Sequence, residues 1–156
     1  MTQYSKLPAF IILICIMGFG AAFTSGCNSV SYSYKHNFGD TCWGMGDTLD
    51  IPIDVNKGEF YRIRVNFKED YAYQNLYLKL LYQLPGQEKM ESFMLQDTIL
   101  TPSGEWLADK EDGTYPLDFT IYRFHTDTTA IQSFRLIQFM REESLCGISS
   151  VGVIKE

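Results

Sequence analysis

From residue 60 to residue 84 the chain repeatedly alternates apolar and polar side chains with a period of two, and that constrains its fold more than any other feature. In residues 60–67 (FYRIRVNF), Tyr61, Ile63, Val65 and Phe67 share one face, with Arg62, Arg64 and Asn66 on the other. In residues 76–84 (LYLKLLYQL), Leu76, Leu78 and Leu80 point one way and Tyr77 and Lys79 the other, before Pro85 and Gly86 turn the chain. Successive side chains of a strand point to opposite sides, so this pattern describes strands with one buried face.

The same period recurs along the chain. Residues 115–124 (YPLDFTIYRF) group Leu117, Phe119 and Ile121. Residues 131–141 (IQSFRLIQFMR) are apolar on both faces, as a central strand is. Residues 48–54 alternate too, but Pro52 makes that run an edge strand or the start of one. Residues 91–100 are a weaker strand, 150–154 close the chain, and 126–130 read as a brief helical or turn segment. Turn signals fall roughly every 8 to 15 residues, and no apolar stripe of helical period exceeds two turns. The expected fold is all-β: a single antiparallel β-sandwich, jelly-roll or immunoglobulin-like, over residues 36–156.

Residues 1–26 do not belong to that sandwich. A polar start bearing Lys6 leads into an apolar run from Leu7 to Phe23, then Thr24, Ser25, Gly26 and Cys27. This is the layout of an export signal. A cysteine directly after the small residues resembles the lipobox of bacterial lipoproteins, in which the signal is cleaved and the new N-terminal cysteine is acylated. Cys27 is the expected lipidated residue, although Thr24 replaces the usual leucine three positions earlier. A membrane-spanning helix needs about 20 apolar residues and a basic flank. This run is shorter, contains Pro8, and meets no basic residue until Lys35. A secretory signal with soluble release and a buried core helix are the other readings. Residues 27–35 are expected to be the lipidated cysteine and its polar, serine-rich tether.

Cleavage would remove Lys6 and leave 12 basic against 19 acidic residues, a net charge of −7 over residues 27–156. A domain this acidic, without a Lys/Arg cluster, is a poor partner for nucleic acid and does not adsorb electrostatically to anionic lipid. Membrane attachment therefore falls to the acyl chains. With Cys15 in the signal and Cys27 acylated, Cys42 and Cys146 remain. In an oxidising compartment they can form a disulfide; the alternative is two separate buried thiols.

No catalytic pattern stands out. There is no G-x-S-x-G, H-E-x-x-H or glycine-rich phosphate loop. His36 and His125 lack metal-ligand spacing. The acidic turn at residues 109–113 lacks the spacing of a Ca²⁺ loop and reads as an exposed turn with Gly113 at its tip. No cofactor, metal or small-molecule substrate is expected. The aromatic load invites three readings: core filling, contact with a protein partner, and sugar stacking. Trp43, Tyr73, Tyr77 and Trp106, with Asn75 beside them, are the candidate partner-binding residues; a side-chain hydrogen bond fixing a turn is the simpler role for Asn75.

Residues 71–78 (YAYQNLYL), 104–107 (GEWL) and 140–152 (MREESLCGISSVG) resemble the GldH family of gliding-motility lipoproteins of Bacteroidetes, as does the stretch from Trp43 to Asp47. Ala108 stands where the family pattern has a glycine. The resemblance covers essentially the whole mature domain. It implies a non-enzymatic structural or assembly component of the gliding-motility and type IX secretion machinery, with other envelope proteins as partners. It also implies an outer-membrane site facing the periplasm. Asn28, Ser29, Val30 and Ser31 fit that placement, since they lack both an aspartate immediately after the cysteine and an acidic surface-export run. A lipid-anchored glycan-binding module is the alternative function. Replacing Cys27 with alanine is expected to abolish metabolic lipid labelling and move the protein out of the detergent phase; retained labelling would reject the anchor.

Overall fold

The computed structural model describes residues 31–52, 61–84, 86–121 and 133–155. Ten strands follow one another: β1 (Tyr34–Asn37), β2 (Trp43–Gly44), β3 (Thr48–Ile51), β4 (Tyr61–Phe67), β5 (Asn75–Gln83), β6 (Glu91–Thr98), β7 (Tyr115–Thr120), β8 (Ser133–Gln138), β9 (Ser144–Leu145) and β10 (Ile148–Lys155). One four-stranded sheet has the order β1-β10-β4-β7, the other β3-β8-β5-β6, and β2 pairs with β9 in a small third sheet.

All pairings are antiparallel, and five of them nest. β1 lies on β10, β2 on β9, β3 on β8, β4 on β7 and β5 on β6. The chain is thus one long hairpin, with its two arms zipped from the ends to the turn after β5. Rolling that hairpin into two sheets adds the contacts β10–β4 and β5–β8. This is the jelly roll, not the immunoglobulin arrangement.

The alternating faces pack as their sequence implies. Tyr61, Ile63, Val65 and Phe67 of β4 and Leu76, Leu78 and Leu80 of β5 are all buried in one core. Each fully buried leucine of this kind contributes about 1.5–3 kcal/mol. β3 is an edge strand and β8 lies inside its sheet, in keeping with their sequence patterns. Several boundaries differ by a few residues, three of them for a visible reason. Strand begins at Tyr34, because β10 supplies a hydrogen-bonding partner that tether composition does not foresee. β8 spans six residues, since Gln138 ends it by turning its side chain onto the next turn. β10 starts at Ile148 across a register irregularity opposite Phe67. The turn segment expected at residues 126–130 lies outside the described residues.

The two ends of the sandwich differ. Tyr34 sits opposite Val153 and Tyr61 opposite Lys155, so β1 begins toward this pole, with the Tyr32 ring laid back over Gly152 and its hydroxyl 3.3 Å from the Asn66 amide. Phe67, Ile148, Asn75 and Gln138 mark the opposite pole, about 26 Å away along the eight-residue β10 at roughly 3.3 Å per residue. The far pole is tightly built. Cys42 and Cys146 are joined by a disulfide with Cα atoms 4.3 Å apart. The Trp43 indole donates to the Asp47 carbonyl at 3.0 Å, and the Asp47 carboxylate accepts from the Gly44 amide at 3.1 Å. The Tyr71 hydroxyl donates to the Asn75 carbonyl at 2.9 Å. Gly147 has a φ of +81°, and a Cβ there would lie 2.6 Å from the Tyr71 Cα.

Gly147→Ala therefore combines a left-handed backbone with a clash against main chain that cannot swing aside. A loss of about 2–4 kcal/mol in denaturant unfolding is expected; an unchanged midpoint would reject the close approach. The disulfide spans 104 residues. Reduction is expected to lower stability by about 4–5 kcal/mol in the chain-entropy description, with mass spectrometry reporting the two-proton gain.

Candidate functional site

The five candidate partner-binding residues do not share one place. Trp43 has no exposed surface and packs against Phe38 with ring centroids 5.3 Å apart, so it belongs to the core and leaves the docking set. Its position in β2, paired with β9 directly beside the disulfide, turns the indole inward. Trp106 lies elsewhere. It stacks on Tyr115 with centroids 4.0 Å apart and an interplanar angle of 2°. The Lys110 ammonium lies 5.4 Å from the centre of the Tyr115 ring, and Phe67 lies 6.1 Å from Trp106. These contacts hold the stack from within the chain, and the pair lines a hollow of ≈ 270 Å³ apart from Tyr73 and Tyr77. Ala108, two residues on, has no positive φ, and its alanine fits the backbone.

Tyr73, Asn75 and Tyr77 do come together. They line a hollow of ≈ 620 Å³ at the far pole, on the outward face of β5, closed by Met94 and Gln96 of β6 and by the turn from Phe139 to Glu142. Asn75 takes part through its backbone: its carbonyl receives the Tyr71 hydroxyl, so the tyrosine rather than the asparagine side chain pins the turn before β5. Burial pushes the Tyr71 phenol well above its ordinary pKa, with Tyr73 adding to the shift, so it stays a donor across the physiological range.

The far wall is held by a buried amide. Gln138, only 1% exposed, donates from Nε2 to the Glu142 carbonyl at 2.7 Å and accepts at Oε1 from the Met140 amide at 2.9 Å. This bracket keeps Arg141 at a φ of +60°, a left-handed conformation that costs a non-glycine residue about 1–2 kcal/mol. Desolvation, then the Glu142 charge and hydrogen bond, raise the Tyr73 phenol above its usual pKa. A second hollow of ≈ 490 Å³ is lined by Met45, Lys79, Ile137, Gln138, Phe139 and Arg141. Phe139 and Arg141 line both, so the two form one groove across the outer surface of the β3-β8-β5-β6 sheet.

Sequence reasoning missed Phe139, Arg141, Met45 and Met94. The parity of 131–141 carried the signal for the first: with Phe134, Leu136 and Gln138 inward, Phe139 must face out. The methionines carried none, because their meeting depends on which strands become neighbours. His36 packs edge-on against Phe38 at 4.8 Å. Among the described residues, no three His, Cys, Asp or Glu side chains gather as a metal site would require. The turn at 109–113 is a tight hairpin: Glu111 and Thr114 exchange backbone hydrogen bonds, with Asp112 and Gly113 both at positive φ. Cys27 lies outside the described residues.

No curated protein matches the chain. Among solved structures, the crystal structure of the infectious bursal disease virus VP2 subviral particle is similar at 12% identity and a TM-score of 0.33. The match covers 78% of this chain and 31% of that one, so the chain spans under a third of its length. A family model described as GldH lipoprotein matches residues 30–154, nearly the whole of the described sandwich. The chain belongs to the GldH lipoprotein family.

Proposed function

We propose that this lipoprotein is a non-catalytic docking component of the gliding-motility and type IX secretion machinery. It is held at the outer membrane by acyl chains on Cys27 and faces the periplasm. Membrane anchoring follows from its family; the assembly role and the location are the parts proposed. The observation that carries the proposal is the separation of the two poles. The N-terminal segment joins β1 at one end of the sandwich, and exposed Met45, Met94 and Phe139 surround the groove toward the other. The Ser33 amide donates to the Val153 carbonyl and Tyr32 packs over Gly152, so four residues separate Cys27 from the packed domain, a reach of about 14 Å at full extension. A domain tethered in this way presents its groove to whatever stands further from the bilayer. Isolated exposed apolar residues are ordinary, but three converging on one groove mark an interaction surface.

Deleting the gene is expected to reduce the extracellular level of proteins that carry type IX signals, measured by comparative proteomics of culture medium. Complementation with the wild type should restore them, and complementation with the Cys27→Ala form should not. An unchanged secretome would reject the role.

A further inference from the structure

The arginines within the sheets are paired with carboxylates, and the cations of the groove are not. On the β1-β10-β4-β7 face, Arg64 grips Asp118 through Nε and Nη2, each at 2.7 Å, and reaches Glu111 at 3.1 Å. Arg62 shares the same Asp118 at 3.1 Å. These pairs neutralise the two β4 arginines from within the sheet, while Lys35 of β1 lies 4.8 Å from the centre of the Tyr32 ring. On the β3-β8-β5-β6 face, Arg135 holds Asp50 at 2.7 Å. Further toward the far pole the pattern stops. Among the described residues, neither Lys79 nor Arg141 has a carboxylate partner; the Lys79 ammonium lies 5.9 Å from the centre of the Phe139 ring.

These two cations line the groove that Phe139 divides, in a chain whose net charge is −6. Its apolar walls are exposed: Met45 at 46%, Met94 at 42% and Phe139 at 54%. Methionine adapts its shape to varied apolar partners, and an aromatic ring supplies an anchor. The register explains why these groups meet. Lys79 of β5 sits opposite Met94 of β6 and Ile137 of β8, so an ammonium is flanked by apolar side chains across three strands. Glu142, the one carboxylate lining the groove, shares the hollow with Tyr73.

We propose that this groove receives an extended peptide segment of another envelope protein, one that sets a carboxylate between apolar side chains. The carboxylate meets Lys79 and Arg141 while the apolar residues straddle Phe139. This rests on the docking function proposed above and names the chemistry of the partner. In an acidic domain, a groove lined by two cations without carboxylate partners selects an acidic segment and fixes its register. A lipid headgroup is disfavoured, because the groove opens on the outer surface of the β3-β8-β5-β6 sheet, whereas β1, which follows the N-terminal segment, edges the opposite sheet.

The methionines provide the test. The full mature lipoprotein, in detergent micelles and labelled at its methionine methyl groups, is titrated with a short synthetic peptide alternating valine and glutamate around a central phenylalanine. The methyl signals of Met45, Met94 and Met140 are expected to shift saturably, while Met90, in a separate hollow, stays still. Arg141→Glu and Lys79→Glu should each weaken binding by about tenfold or more, and added salt should weaken it for the wild type. Phe139→Ser should remove saturation with the circular dichroism unchanged, which separates lost docking from lost fold. Equal binding of the lysine counterpart of the peptide would overturn the proposal. So would saturable shifts with a neutral oligosaccharide alone, or shifts that follow protein concentration without peptide, the sign of self-association. A silent titration beside an altered secretome rejects the groove and keeps the assembly role; the reverse result rejects the role alone.

Discussion

Nested antiparallel pairing between the two halves of the chain is the constraint on which everything else depends. β1 cannot form without β10, nor β3 without β8, because each pair is separated by most of the sequence between them. Long-range closure of this kind costs entropy before any contact repays it. The chain meets that cost at the far pole, where β2 pairs with β9, Cys42 is bonded to Cys146, and Gly147 lies against the Tyr71 backbone. Once that point is closed, the strands on either side are held in register and their apolar faces can seal one core.

The same pole builds the groove. Tyr71 pins the start of β5, placing Tyr73, Asn75 and Tyr77 along one wall. Gln138 holds the opposite wall by answering two backbone groups of the turn that follows it. A buried amide with both ends satisfied stabilises modestly but specifies geometry firmly, since leaving either backbone group unpaired would cost about 1–3 kcal/mol. The clamp that stabilises the roll and the bracket that shapes the proposed docking surface are thus neighbours on one structural unit. Its position opposite the N-terminal strand suits a tethered protein that must reach beyond the membrane surface.

Several of the residues that carry the family resemblance prove to be structural at that pole. Trp43 and Asp47 close a turn, Tyr71 secures another, and Gly147 permits a close approach. Mid-way along β10, Gly152 makes room for the Tyr32 ring, which a Cβ would overlap. A tryptophan read from sequence is as good a candidate for a partner contact as for a core, and Trp43 is core because β2 lies beside the disulfide. Parity within a strand was legible for β4 and β5, since alternation is a local property with one solution. The existence of β2 and β9, two residues each, was not, because strands that short carry no period.

Local chemistry determined the acidic charge, the all-β class and which face of each long strand is buried, because each depends on the residue types themselves or on residues close together in the chain. Tertiary structure alone decided jelly roll over immunoglobulin topology, since both use the same alternating strands and differ only in which strands become neighbours. It alone brought Met45, Lys79, Met94 and Arg141 to one groove from four separate stretches of sequence. Which charges lack a partner is likewise a property of folded space: Arg64 and Arg141 look alike in sequence, and only the fold gives Asp118 to one of them.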